Sequence, residues 1–246
     1  MMREDKIENL LRHFGSGRVC AVYEPSGAWG ALVDEPDLEE FVETAGAVIR
    51  RTELREILCR ALDFSINADA AKLEISYIAL YAALESVLTF FRRQDEHKII
   101  PSEEFARLER DLRGWLKQHP LLANQSAKRG LIYEKIRELN RFSFSYIFQN
   151  FCERHALDLC DLWPLVGSAD EWPLMEIRHR LVHGDPFTSC PPEAMLCARE
   201  HLRWTTERML LSVLGWPVAR SGISREKLLR PGGHYHNWQA ERARFG

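Results

Sequence analysis

Residues 71–93 form the segment that most constrains the fold, because their apolar side chains recur every three or four positions. This spacing predicts a helix with one wide apolar face, made by Tyr77, Leu80, Tyr81, Leu84, Val87, Leu88 and Phe91. Such a face is stable only when other elements cover it. The segment therefore predicts a core helix, and we expect an all-α protein around it.

Helical periodicity recurs in most of the remaining chain, and it predicts helices over 37–62, 101–118, 128–155, 171–184 and 193–214. A break near Gly46 or Thr52 is expected in the first of these helices. Two short apolar runs at 19–23 and 28–33 flank a Pro-Ser-Gly turn. They predict a small β-hairpin, which belongs either to a compact N-terminal appendage or to the remnant of a larger β-rich domain.

The aromatic side chains of the predicted helix 128–155 have two interpretations. Exposed rings among Lys and Arg side chains would form a platform on which the bases of a single strand stack. The basic residues here are no denser than on an ordinary solvated helix face. We therefore expect these rings to lie in the core.

Composition limits the class of protein. The chain has 246 residues and a net charge of −3, which argues against a protein that coats nucleic acid non-specifically. It leaves room for an enzyme with a small basic cleft.

The sequence also predicts the compartment. We expect no apolar run of the length that spans a bilayer, and the charged N-terminus lacks a signal-type apolar core. The six cysteines form no C-x-x-C pair, so we interpret them as reduced, mostly buried thiols. These features predict a cytoplasmic protein without a membrane partner.

Reactive side chains are concentrated at 176–183. Leu174, Ile177 and Leu181 have helical spacing and predict a buried face. Gly184 is suited to the position after the last helical residue, and Pro186 forbids continuation. His183 is therefore expected in the last turn, where carbonyl dipoles favour a protonated imidazole.

Metal binding is one interpretation of this cluster. His179 and His183 are one turn apart, and Glu176 precedes His179 at the spacing of half a di-iron site. However, Arg178 and Arg180 flank the first histidine and oppose a dication. No second Glu-x-x-His occurs in the chain. We therefore predict no metal and no cofactor.

Metal-independent RNA cleavage is a second interpretation. It needs a base for the ribose 2′-hydroxyl, an acid for the leaving 5′-oxygen and a cation beside the phosphorane. Histidine suits the proton transfers, and arginine suits the phosphate. One Arg and one His are too few for both transfers, but two copies related by a two-fold axis would supply two of each.

Two separated stretches carry a family resemblance. One is the frame Arg178-x4-His183, with His179 after the Arg and Gly184 after the His; the other is the apolar, aromatic helix with Glu85 near its middle. Together they resemble the HEPN family (higher eukaryotes and prokaryotes nucleotide-binding domains). The resemblance implies an all-α, HEPN-like helical bundle that dimerises and builds a composite ribonuclease site at the interface.

By matching position, the resemblance implies that Arg178 and His183 are catalytic and that His179 is their polar helper. Glu85 corresponds more loosely, and Arg180 and Glu176 are supporting candidates. In family context the chain would be a homodimeric endoribonuclease acting as a prokaryotic toxin or anti-phage defence effector. Its partners would be substrate RNA and an antitoxin or another defence-system protein.

The resemblance covers residues 65–215. Residues 1–64 are expected to form an N-terminal extension with a short helix, the β-hairpin and a linking helix. Residues 216–246 are expected to form a basic, poorly packed tail that is disordered or docks a partner.

Two alternatives stay open. The chain could be a non-catalytic HEPN module that binds a protein partner or a nucleotide. Alternatively, Arg178 pairs with a carboxylate such as Glu176 or Asp185, and His183 merely caps its helix.

Overall fold

The computed structural model describes residues 32–94, 98–184, 192–230 and 237–245. These residues are about 74% helical and contain no strand, which confirms the all-α class. Their α-helices are α1 (Leu38–Ile49), α2 (Thr52–Ala70), α3 (Leu73–Gln94), α4 (Ser102–Gln118), α5 (Ser126–Ile136), α6 (Phe144–Arg154), α7 (Leu174–His183), α8 (Pro192–Val213), α9 (Arg225–Leu229) and α10 (Trp238–Arg242).

The predicted helices agree with α3, α4, α7 and α8 to within a few residues, and the break expected near Thr52 separates α1 from α2. The short N-terminal helix and most of the predicted hairpin lie outside the described residues. Val33, at the end of that predicted hairpin, forms an isolated antiparallel bridge with Ser221.

The single helix predicted over 128–155 is wrong, because the structure divides it into α5 and α6 around a 3-10 turn at Arg137–Asn140. The side chain of Asn140 accepts a hydrogen bond from the Ile100 amide at 2.9 Å and donates one to the Ile100 carbonyl at 3.0 Å. Asparagine side chains that bond backbone groups compete with helix formation. The chain therefore leaves the helix where Asn140 binds a neighbouring segment.

The chain divides into two compact units. Unit 1 comprises Met1–Phe90 and Cys152–Gly246, and it contains the Arg178–His183 segment. Unit 2 comprises Phe91–Phe151 and contains α4 and α5. The predicted domain boundaries at 64/65 and 215/216 stay predictions.

The core of unit 1 is built around α8, which is buried on every face over residues 200–211. This stretch includes charged side chains, which the apolar periodicity did not reveal. Arg208 is the clearest case, with a side chain 1% exposed. Its two terminal nitrogens each donate to a carboxylate oxygen of Asp161 at 2.7 Å, and its Nε donates to the Ile223 carbonyl at 2.9 Å.

The expectation of a poorly packed C-terminal tail is wrong for its described residues. Five of its apolar side chains are at most 8% exposed: Trp216, Ile223, Leu228, Trp238 and Phe245. Arg220 also donates hydrogen bonds to Asp37 and Glu40, between 2.7 and 2.8 Å long. Described residues before position 65 and after position 215 therefore contact each other within unit 1.

One described helix, α3, is long and apolar enough over Leu73–Arg92 to cross a membrane by length and composition. The expectation that no apolar run reaches this length is therefore wrong. Half of that window is buried inside the protein, where Leu80 and Leu84 are at most 1% exposed. A core helix of a folded domain passes the same test, and α3 occupies that position in unit 1.

The four described cysteines, Cys59, Cys152, Cys160 and Cys197, have free thiols, but only Cys197 is buried. The expectation of mostly buried thiols is therefore wrong for this part of the chain. Burial raises the pKa of Cys197 to about 12 and that of Cys152 to about 11, so both stay protonated near neutral pH.

Candidate active site on the Arg178–His183 helix

The start of α7 is fixed by a tryptophan pair. The indole nitrogen of Trp163 donates to the Trp172 carbonyl at 2.8 Å, and Trp172 has the left-handed φ of 50°. Trp238 and Phe245, from the chain end, pack on Trp163 with ring centroids 6.3 and 5.7 Å away. The C-terminal residues therefore support the entry to the helix that carries the candidate site.

The end of α7 follows the prediction. His183 is the last helical residue, and Gly184 adopts the left-handed φ of 72°. Glycine adopts this conformation without the steric cost that a Cβ atom brings.

Helix α7 is joined to α3 by a buried hydrogen bond. Leu174 and Ile177 are 0% exposed, as is Tyr77 on α3. The Tyr77 hydroxyl donates to the Leu174 carbonyl at 2.7 Å. Burial holds the pKa of Tyr77 well above its ordinary value, so the hydroxyl keeps the proton that it donates.

Replacing Tyr77 with phenylalanine removes this hydrogen bond and keeps the ring. We expect a loss of about 1 kcal/mol in the free energy of unfolding, because the Leu174 carbonyl retains its place in the α7 backbone ladder. Urea denaturation of Tyr77→Phe beside the parent measures the difference. A loss above about 3 kcal/mol would mean that this hydroxyl does more than join α3 to α7.

Arg178 follows Ile177 and reaches α3. Its Nη2 lies 3.7 Å from Oε2 of Glu85, and its Cζ lies 5.4 Å from the centroid of the Tyr81 ring. The two charged side chains are 32% and 41% exposed. A pair this exposed adds at most about 1 kcal/mol to stability, so its main effect is to orient the guanidinium.

Tyr81 lies beneath this ion pair. Burial, together with the adjacent Glu85 carboxylate, holds the pKa of Tyr81 well above its ordinary value, while Arg178 opposes that shift. Tyr81 is therefore a neutral ring at neutral pH, and it offers Arg178 a π-face rather than a base.

His179 and His183 are both exposed, and their ring centroids lie 4.3 Å apart. At about 100° per residue, Arg178 and His183 are about 140° apart around α7, with Val182 and His179 between them. Val182 is 48% exposed. These four residues, Arg178, Val182, His179 and His183, form one continuous surface, which we call the Arg–His strip.

The two remaining supporting candidates lie beyond the Arg–His strip. The Nε of Arg180 is 3.0 Å from Oε1 of Glu176, and the Arg180 guanidinium lies 4.2 Å from the centroid of Trp172. Glu176 therefore pairs with Arg180, whereas Arg178 pairs with Glu85. Arg178 therefore pairs with a carboxylate, as the second of the two alternatives expected, but the carboxylate is Glu85 and not Glu176, and Asp185 lies outside the described residues.

The structure thus brings Arg178 and the loosely matched Glu85 together, from helices far apart in sequence. Sequence reasoning missed the roles of Tyr81 and Val182. Tyr81 precedes Glu85 by one helical turn, so their shared face on α3 was a usable signal. The exposure of Val182 could not be predicted from the sequence, because it depends on which other elements cover α7.

Among the described residues, no group of three or more His, Cys, Asp or Glu side chains is arranged to hold a metal ion. A cavity of about 1050 Å³ lies elsewhere in unit 1, beside Leu157, Trp216, Pro217 and Arg225. None of the six predicted site residues lines it.

Comparison with known proteins gives no match: no family model, no curated protein and no solved structure is significantly similar to this chain. The HEPN resemblance therefore rests on the quoted residues alone.

Proposed function

We propose that the chain is a HEPN-like, metal-independent endoribonuclease that acts as a homodimer in the cytoplasm, as a toxin or anti-phage defence effector. The observation that carries the proposal is the position of Arg178. It is held by Glu85 and Tyr81 at one edge of a strip whose other edge is an exposed histidine pair.

The reaction assigns a role to each of these groups. The ribose 2′-oxygen attacks the adjacent phosphorus while a neutral imidazole takes its proton. The bond from phosphorus to the 5′-oxygen breaks, and an imidazolium gives that oxygen a proton. Arg178 stabilises the charge on the non-bridging oxygens. The products are a 2′,3′-cyclic phosphate and a 5′-hydroxyl.

In-line displacement puts the attacking and leaving oxygens on opposite sides of phosphorus. His179 and His183 lie 4.3 Å apart on one edge of a single helix, so both approach from the same side. The second copy of the Arg–His strip, brought opposite by a two-fold axis, supplies the other proton-transfer group. We assign the proton transfers to His183 of each copy, and we assign His179 the role of a polar helper beside it.

The test is incubation of the purified protein with total RNA and with tRNA in EDTA, followed by analysis of the cleaved ends. The proposal expects cleavage with cyclic-phosphate or 3′-phosphate ends, and no cleavage by an Arg178→Ala/His183→Ala variant. Failure of a folded, dimeric parent to cut either RNA would contradict it. Cleavage that survives the double substitution would place the activity elsewhere.

Val182 tests the interface separately from the chemistry. A Val182→Lys substitution puts a further cation beside Arg178 and the two histidines. Repulsion between the two copies of the Arg–His strip is then expected to make dimer dissociation about 100-fold more favourable. Sedimentation equilibrium measures the dissociation constant. Val42→Lys is the matched control, since Val42 is a 41% exposed valine on α1. An intact dimer in Val182→Lys would exclude the strip from the interface.

One observation favours the alternative, a non-catalytic interaction module. Unit 2 exposes several large apolar side chains, with Leu121 at 73%, Leu131 at 66% and Trp115 at 60%. Exposed apolar surface is typical of protein-binding sites. A module of this kind would capture its partner equally well with His183 replaced by alanine.

A further inference from the structure

Unit 2 contains an aromatic and basic surface that the proposed active site does not use. Lys98 and Arg141 are paired by an antiparallel bridge, and both are exposed. The two hydrogen bonds between Asn140 and the Ile100 backbone hold these segments together. The backbone positions of the two cations are therefore fixed in advance.

Two stacked rings lie directly after Arg141. The centroids of Phe142 and Tyr146 are 4.4 Å apart, with 13° between the ring planes. Tyr146 is 47% exposed, although Phe148 and Phe151 on the same helix are buried. The expectation that all the rings of this segment lie in the core is therefore wrong for Tyr146. Phe142 covers one face of the Tyr146 ring, and the exposed part is available to a ligand.

The charge of the surrounding unit favours an anionic ligand. Residues 98–151 contain ten Lys and Arg against six Asp and Glu, a net charge of +4 in a chain whose total is −3. The nearby Glu138 lies 3.1 Å from Lys135. Arg141 makes no ion pair within the described ranges, and Lys98 donates to the Ser102 hydroxyl. Both cations therefore keep their charge for a ligand.

We propose that Lys98, Arg141, Phe142 and Tyr146, the Lys98–Arg141 patch, bind single-stranded RNA. An unpaired base stacks on the open face of Tyr146, and the two cations contact the neighbouring phosphates. Base stacking on an aromatic ring beside basic side chains is the usual way to bind single strands without sequence preference. A duplex keeps its bases stacked on each other and cannot use the ring.

The choice of RNA rather than DNA rests on the proposed function. The stacking and phosphate contacts are argued from the Lys98–Arg141 patch itself and do not depend on that function. An acidic protein segment would use the cations and leave the stacked ring pair without a role. For that reason a nucleic acid fits the Lys98–Arg141 patch better than an acidic protein does.

Fluorescence anisotropy with labelled oligouridine tests the patch, in the Arg178→Ala/His183→Ala background so that no RNA is cut. We expect Tyr146→Ala to weaken binding about 5- to 150-fold, and Tyr146→Phe to stay within about twofold because it keeps the ring. Lys98→Ala/Arg141→Ala should lower the slope of log affinity against log salt by about 1.4, for two phosphate contacts. Arg107→Ala/Lys117→Ala is the matched control, since both side chains are exposed in the same unit.

Four outcomes would overturn the proposal. In the first, Tyr146→Ala binds oligouridine within twofold of the parent affinity. In the second, the Arg107→Ala/Lys117→Ala control loses as much affinity as Lys98→Ala/Arg141→Ala does. In the third, an RNA duplex or oligodeoxyuridine binds more tightly than oligouridine, and in the fourth, an oligoglutamate peptide does. The proposed cleavage fails separately. If RNA binds the Lys98–Arg141 patch but the protein with Arg178 and His183 intact does not cut it, the proposed nuclease activity is contradicted and the proposed RNA-binding patch is not.

Discussion

Replacing His183 with alanine is expected to lower the rate of RNA cleavage about 10²- to 10⁴-fold, which is the usual contribution of a positioned general acid or base. Arg178→Ala should cost about 10²- to 10³-fold, because it removes charge stabilisation at the phosphorane. Both side chains are at least partly exposed, so neither change should unfold the protein. Single-turnover cleavage of tRNA, with circular dichroism as a check on folding, measures both effects.

Arg60→Ala is the matched control, because Arg60 is an exposed arginine on α2 in the same unit. We expect its rate to stay within about twofold of the parent, as for an exposed residue away from the reacting atoms. Equal losses of rate in Arg60→Ala and Arg178→Ala would mean that the cleavage rate depends on the total positive charge of the protein and not on the position of Arg178 beside Glu85 and Tyr81.

Co-expression of the parent with the Arg178→Ala/His183→Ala variant tests the composite site directly. If each reaction needs groups from both copies, only dimers with two parent chains cut RNA. At equal amounts the activity should fall to about one quarter, against about one half for self-contained chains. A fall to one half would contradict the two-copy site while leaving the roles of Arg178 and His183 in place.

The position of the candidate site was largely predictable from the sequence. Leu174 and Ile177 at helical spacing fix which face of α7 is buried, and Gly184 fixes where the helix ends. Those two constraints determine which side chains remain at the surface. Glu85 was a candidate only through the looser family resemblance, and its ion pair with Arg178 was not predicted from the sequence.

Contacts between side chains distant in sequence were not predictable. Asn140 divides a helix that local periodicity joins, because its amide binds Ile100, forty positions earlier. Trp238 and Phe245 lie in a segment that looks polar and basic, and they are buried where they pack on Trp163. Periodicity reports which face of a helix is buried, and it carries no information about such partners.

The buried pair of Arg208 and Asp161 gives the largest expected effect on stability. Arg208→Met should lower the free energy of unfolding by about 3–5 kcal/mol, because it leaves the Asp161 carboxylate buried without its cation. Arg220→Met is the control, since Arg220 pairs with Asp37 and Glu40 at the surface, and its loss should be much smaller. Urea denaturation, followed by tryptophan fluorescence, measures both.

A double-mutant cycle separates the pair from the other contacts of Arg208. Asp161→Leu/Arg208→Met removes both charges, so its loss should be smaller than the sum of the two single losses. It should not return to the parent value, because the Ile223 and Asp158 carbonyls also accept hydrogen bonds from Arg208. Their unmet bonding leaves a residual cost of about 1–3 kcal/mol. Additive losses would show that the two charges are not coupled and that the carbonyl contacts alone make Arg208 necessary to the core of unit 1.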